Sequence, residues 1–239
     1  MTTIDSQTSV GALVAERPSR SRVFESLGID YCCGGKKSLA DVCRAKGLDP
    51  ASVIALLAAA EPAPADETGT DWATAGLAQL CDHIEQTHHA YLKRELPRMG
   101  TIVRKVAAVH GEHHFELREI NKLFMGLSAE MTQHMMKEEH ILFPMIRRLE
   151  TAKTRPSFHC GSVGNPIRVM EHEHDSADNA TVRIRQLTGD YAMPPDGCES
   201  YRAMLDGLSH METDLHQHIH KENNILFPRA IALESRLGS

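Results

Sequence analysis

Residues 134–146 read HMMKEEHILFPMI, and residues 218–230 read HIHKENNILFPRA. Both carry His-x-x-x-Glu followed by Ile-Leu-Phe-Pro, and they begin 84 residues apart. A histidine pair lies upstream of each, His88 and His89 before the first, His172 and His174 before the second. A two-helix unit repeated in this way closes into a bundle with pseudo-twofold symmetry.

Four helical tracts follow from Asp71: roughly 71–109, with a kink expected at Pro97, then 112–150, 166–188 and 198–237. Gly111, the 156–164 region and the 193–197 region with Pro194 and Pro195 separate them. Three short connections between long helices predict an all-α, up-down-up-down four-helix bundle. Residues 1–60 read as a small helical domain, with helices over 10–17, 19–27, a tract capped by Ser38, and 52–60. Gly28 stands where the second of these should end. The stretch EPAPADETGT, 61–70, is a linker by composition, which leaves 71–239 to the bundle.

A histidine and a glutamate at i and i+4 leave the same side of a helix, one turn apart. In the second tract Leu127, Met131, His134, Glu138, Ile141 and Met145 form a stripe; in the fourth, Leu208, Met211, Leu215, His218, Glu222 and Ile225 do. Each His–Glu pair interrupts an otherwise apolar face. A lone pair of this kind is usually a solvated helix surface, but two at matching positions of a repeat place two carboxylates in one core. Burying a carboxylate without a counter-charge is costly, and two facing each other repel. Metal cations between them remove both penalties. His174 is in phase with Ile167, Met170 and Ala177, whereas His172 points to solvent. In the first tract, His88 fits the phase of Ile84 and Leu92 better than His89 does.

Four imidazoles and two carboxylates suit a pair of iron or manganese ions better than structural zinc. With both glutamates bridging, each metal receives two histidines and keeps a position open for a small ligand such as O2 or nitric oxide. His83, His110, His113, His114, His140, His159, His210, His216 and His220 are expected on the surface or behind the ligands, and Met135 and Met136 in packing roles.

A formal net charge of -6 and the lack of a basic patch argue against nucleic-acid or membrane-surface partners. No window approaches the ~18 apolar residues of a membrane span, and the first residues lack a signal-peptide pattern. A cytoplasmic location is expected, with six cysteines mostly reduced.

The loop Asp30-Tyr31-Cys32-Cys33-Gly34-Gly35, together with HMMKEEHILFP and KENNILFPRA, resembles the di-iron proteins of iron–sulfur cluster repair, the repair-of-iron-centres family. The histidine motifs alone indicate only a hemerythrin-like bundle; the Tyr-Cys-Cys-Gly-Gly loop makes the likeness specific, and it covers nearly the whole chain. The resemblance implies a non-haem, oxo-linked pair of iron ions held by His89, His134, Glu138, His174, His218 and Glu222. Its choice of His89 rests on aligning Asp82-His83-Ile84 and Leu96-Pro97, against the phase argument for His88. It implies repair of clusters damaged by nitrosative or oxidative stress, with damaged iron–sulfur proteins and nitric oxide as partners. The alternatives are a nitric oxide-binding or nitric oxide-reducing protein and, less well matched, an oxygen carrier or sensor. Turnover as an enzyme and a homodimer are left open.

Adjacent cysteines bridge poorly. Two ordinary loop thiols are the plain reading of Cys32 and Cys33. Beside Gly34 and Gly35 in an unhindered loop, with Lys36 and Lys37 lowering a thiol pKa, they are expected to pass iron or electrons. Cys43, Cys81, Cys160 and Cys198 carry no such signal.

Overall fold

A computed structural model describes residues 4–60 and 70–238, so that nearly all of the expected linker lies outside the described residues. Every regular element within that range is helical, and the one strand-like contact is an isolated bridge between Ser9 and Ser38.

The first 60 residues hold α1 (Val10–Glu16), α2 (Arg20–Ser26), α3 (Leu39–Lys46) and α4 (Pro50–Ala59). Ser9 and Ser38 cap α1 and α3 by accepting from the amides of Ala12 and Asp41, so unsatisfied first-turn donors find partners. Asp49 caps α4, and Pro50 takes its first position, two residues earlier than the expected start at Ser52. Gly28, at φ +60°, turns the chain out of α2. Phe24, Tyr31, Leu39 and Leu57 form the core of this unit.

Four long helices follow: α5 (77–110), α6 (116–151), α7 (Gly164–Leu187) and α8 (199–237). Each packs on the next, and α8 returns to α5, which closes the ring. The repeat is visible in how the helices start. Glu150, near the end of α6, accepts from the amides of Leu77 and Ala78 at 2.6 and 2.9 Å. Glu234, 84 residues on in α8, accepts from the amide of Val163 at 3.2 Å, where α7 begins. Each carboxylate neutralises the positive end of a helix that has no capping side chain of its own.

Three of the four bundle helices are not uniformly α-helical. A π-helical turn interrupts α5 at Glu85–His89, α6 at Glu138–Leu142 and α8 at Glu222–Leu226. Proline lacks the N–H that a helix needs and crowds the carbonyl four residues back. The widened turns ahead of Phe143-Pro144 and Phe227-Pro228 accommodate both defects. Pro97, by contrast, lies within Ala90–His110, and that helix runs through it. The irregularity of α5 therefore falls at 85–89 rather than at the expected kink.

Each π turn shifts the inward phase by one residue. Ile141, expected in the core stripe, is 53% exposed, and Leu142 is buried in its place. In α8 the same shift buries Leu226, yet Ile225 also stays inside, since α1 packs against that turn.

Candidate metal centre

The π turns deliver the expected residues to one point. His89, Glu138, His218 and Glu222 offer donor atoms all within 4.8 Å of one another, as do His134, Glu138, His174 and Glu222. Glu138 and Glu222 belong to both groups, and all six side chains are buried. His89 ends one π turn, whereas Glu138 and Glu222 each begin one. Such turns concentrate at functional sites because they re-aim a side chain without ending the helix.

The same turn separates the two candidates in α5. A π turn, with bonds from i to i+5, inserts one residue into the α-helical ladder, so the inward position moves from His88 to His89. His89 Nε2 lies 3.3 Å from Glu138 Oε2, inside the cluster. His88 is buried behind it, with Nδ1 at 2.9 Å from Asp214 and Nε2 accepting from Lys221 at 2.9 Å.

Within the cluster, Nε2 of His134 and Oε2 of Glu138 are 3.2 Å apart, Nε2 of His174 and Oε2 of Glu222 are 3.1 Å apart, and Nε2 of His218 and Oε1 of Glu222 are 3.0 Å apart. His134 and His174 aim their Nε2 atoms at each other across 3.1 Å. Both oxygens of Glu138, Oε2 of Glu222, Nε2 of His89 and Nδ1 of His218 are buried and lack any well-formed hydrogen bond among the described residues. A concentration of unsatisfied buried polar atoms calls for an explanation. Ligand atoms at right angles on bonds of about 2.1 Å stand about 3 Å apart, so these separations suit donors sharing a cation.

Second-layer contacts set the tautomers. His89 Nδ1 donates to Glu139 at 2.8 Å, His134 Nδ1 to Glu173 at 3.0 Å, and His174 Nδ1 to Asn223 at 2.8 Å. Each bond fixes a proton on Nδ1, so that Nε2 is the nitrogen turned toward the cluster and the one a cation would take. The repeat explains the pairing, since Glu139 and Asn223 follow Glu138 and Glu222 directly. It also exposes an asymmetry. Glu173 pairs with Lys137 and His134, whereas the pseudo-equivalent position holds His88, which pairs with Lys221 and lies parallel to the ring of His218 at 5.3 Å. The Nδ1 of His218 accordingly makes no hydrogen bond among the described residues.

In the metal-free protein, burial disfavours charge on His134, but Glu138 and Glu173 outweigh burial and hold its pKa up at about 10. Burial dominates at His218 and pushes it down to about 4. For the two shared glutamates, burial and mutual repulsion act against ionisation; the surrounding histidines prevail and keep both below the ordinary carboxylate value.

Sequence reasoning missed the orienting groups Glu139, Glu173 and Asn223, and the two phenylalanines of the repeat. Phe143 stacks on His89 at 5.6 Å and Phe227 on His174 at 6.1 Å, sealing the histidines with apolar rings. The repeated Ile-Leu-Phe-Pro held that signal. His172 is exposed, as its phase implied.

The cysteine loop differs from its expected form. Asp30 gathers the amides of Cys32, Cys33 and Gly34, and Asn224, in the π turn of α8, donates to the carbonyls of Tyr31 and Cys32. The loop is thus fastened to the bundle, and Cys32 is 2% exposed. The neighbouring Cys33 and burial raise the Cys32 thiol pKa, the reverse of the expected lowering, while Lys36 pairs with Glu171. Both cysteines are free thiols. A cleft of about 150 Å³ opens beside them and reaches Asn223, whose oxygen holds His174.

Residues 82–230 match the family described as the hemerythrin HHE cation-binding domain, a description that fits a buried histidine–glutamate cluster. Residues 6–61 match a family described as a domain of unknown function, DUF542. The chain is 37% identical over 225 residues to the iron–sulfur cluster repair protein YtfE of Citrobacter koseri, covering 94% of this chain and 97% of that one. The protein of the same name from Escherichia fergusonii is 36% identical over the same span. This chain belongs to the iron–sulfur cluster repair protein family. Its bundle is therefore a hemerythrin-like, metal-cation-binding one. No helix among the described residues is long and apolar enough to cross a membrane.

Proposed function

We propose that this repair-family protein holds two iron ions through His89, His134, Glu138, His174, His218 and Glu222, and supplies iron to iron–sulfur clusters damaged by nitrosative or oxidative stress. The observation that carries the reading is the sharing of Glu138 and Glu222 between two donor groups of two histidines each. Nitrogen and oxygen donors without thiolate favour iron over a structural zinc site. When bound, the iron pair supplies exchangeable metal and open coordination positions for a small ligand such as nitric oxide.

The chain's own residues do the rest. Glu139, Glu173 and Asn223 orient three of the histidines, and Phe143 and Phe227 keep water from them. Cys32 and Cys33, at the cleft that ends on Asn223, receive iron or pass it on. The partners are damaged iron–sulfur proteins, in the cytoplasm.

The test is repair of a nitric oxide-damaged iron–sulfur enzyme by the iron-loaded protein. Wild type should restore activity, and a Cys32→Ala/Cys33→Ala variant should keep its iron but restore activity more slowly. Equal restoration by that variant would remove the thiols from the account. No restoration by loaded wild type would favour the second reading, capture of nitric oxide at the open positions, which Glu138 and Glu222 leave by serving both metals.

A further inference from the structure

The cysteine loop brings Cys32 to a second group of potential ligands. Its Sγ, a carboxylate oxygen of Asp178 on α7 and a ring nitrogen of His216 on α8 all lie within 4.8 Å of one another. None of these three belongs to the shared-glutamate cluster. We propose that Cys32, Asp178 and His216 form a separate binding site for a borderline-soft divalent cation, ferrous iron or zinc.

The chemistry of the group fits that assignment. One thiolate, one imidazole and one carboxylate form a ligand set that such ions accept, with room for a water or a fourth donor. His216 Nε2 and Asp178 Oδ1 face each other at 3.4 Å, longer than a well-made charge-assisted hydrogen bond and close to the spacing of two ligands on one ion. The Cys32 thiol also donates to Asp30 Oδ1 at 3.2 Å. Tyr31 sets its ring edge-on to that of His216 and limits how the imidazole can turn.

A way in exists too. The cleft beside Cys32 and Cys33 is lined by Asp175 and by Glu171, the latter paired with Lys36, and it reaches Asn223. Cys32 belongs both to this group and to the wall of the cleft that reaches Asn223. The site's use as a holding point for outgoing iron rests on the iron-supply reading above; its capacity to bind a cation does not.

Titration of the metal-free, full-length protein with cobalt(II) under anaerobic conditions tests the site. Wild type should take up a third equivalent beyond those of the buried centre, and that equivalent should bring a thiolate-to-cobalt charge-transfer band. His216→Ala, and independently the nearly isosteric Asp178→Asn, should weaken the third equivalent at least about tenfold and shrink the band, while the first two equivalents stay. Two equivalents without a thiolate band in wild type, or a band that survives both substitutions, would overturn the site. Loss of the first two equivalents in wild type would instead count against the buried centre, so the two failures are distinct.

Discussion

Replacing Glu173 by alanine should weaken metal binding although Glu173 is not itself a donor. Its carboxylate accepts from His134 Nδ1 at 3.0 Å and so holds Nε2 toward Glu138. Losing an orienting partner of this kind typically lowers metal affinity about 10–100-fold. That corresponds to about 1.4–2.8 kcal/mol. The ion pair with Lys137 is also lost, but Lys137 is 43% exposed, and such pairs contribute under about 1 kcal/mol. Glu173→Gln keeps an oxygen that can accept from Nδ1 and should retain most of the affinity. His88→Ala, at the pseudo-equivalent position, removes no acceptor from His218 and should cost less than about threefold. Competition of the metal-free variants with a chromophoric chelator for ferrous iron reads these constants. Glu173→Ala within twofold of wild type, or an equal loss in His88→Ala, would refute this orienting role for Glu173. A pH dependence follows in the metal-free protein. Its hydrogen bond from His134 and its contact with Lys137 hold the Glu173 carboxyl down at about 2, against about 4.3 in an unfolded chain. Its stabilisation is therefore complete above about pH 4.3 and disappears as pH falls toward 2, and Glu173→Ala should flatten that part of the stability profile.

A methyl group at Gly35 would stand 2.3 Å from Asn224 Oδ1 and 2.6 Å from the Tyr31 carbonyl oxygen, so Gly35→Ala should lift the cysteine loop off α8. It should destabilise by about 1–3 kcal/mol and speed alkylation of Cys32, read by mass spectrometry; unchanged reactivity would mean that the loop is not held there. Glu150→Ala removes the cap from the start of α5 and should lower stability by about 1–2 kcal/mol in denaturant melts, with the slope unchanged. Cys198 is exposed and has His110 Nε2 at 3.2 Å, a contact that draws its thiol pKa down to about 7. It should react fastest of the six cysteines near neutral pH, and His110→Ala should move the inflection of its alkylation rate upward.

The bundle was legible because its signal is repeated. Four tracts with breaks at Gly111 and in the proline-bearing segments, and two identical His-x-x-x-Glu–Ile-Leu-Phe-Pro blocks, define helices and inward faces without tertiary information. The π turns were not legible, since a stripe drawn with one helical period has no room for an inserted residue. That single omission accounts both for Ile141 on the surface and for the phase argument that preferred His88. The fastening of the cysteine loop was hidden for a different reason. It depends on Gly11 and Gly35 meeting Asn224, three residues brought together only when the small helical unit lies against α8. A glycine pair read alone suggests freedom; here the missing side chains allow close approach. The orienting groups fall between these cases, as Glu139 and Asn223 occupy equal positions in the repeat but differ in residue type.

The central claim is that two metals share Glu138 and Glu222. The most direct measurement is iron content after anaerobic reconstitution of wild type, Glu138→Ala and His89→Ala, each paired with a denaturant melt to confirm folding. Two irons per chain are expected in wild type, about one in His89→Ala, and less than one in Glu138→Ala, because only the glutamate serves both donor groups. A single iron in wild type, or two irons retained without Glu138, would contradict the account.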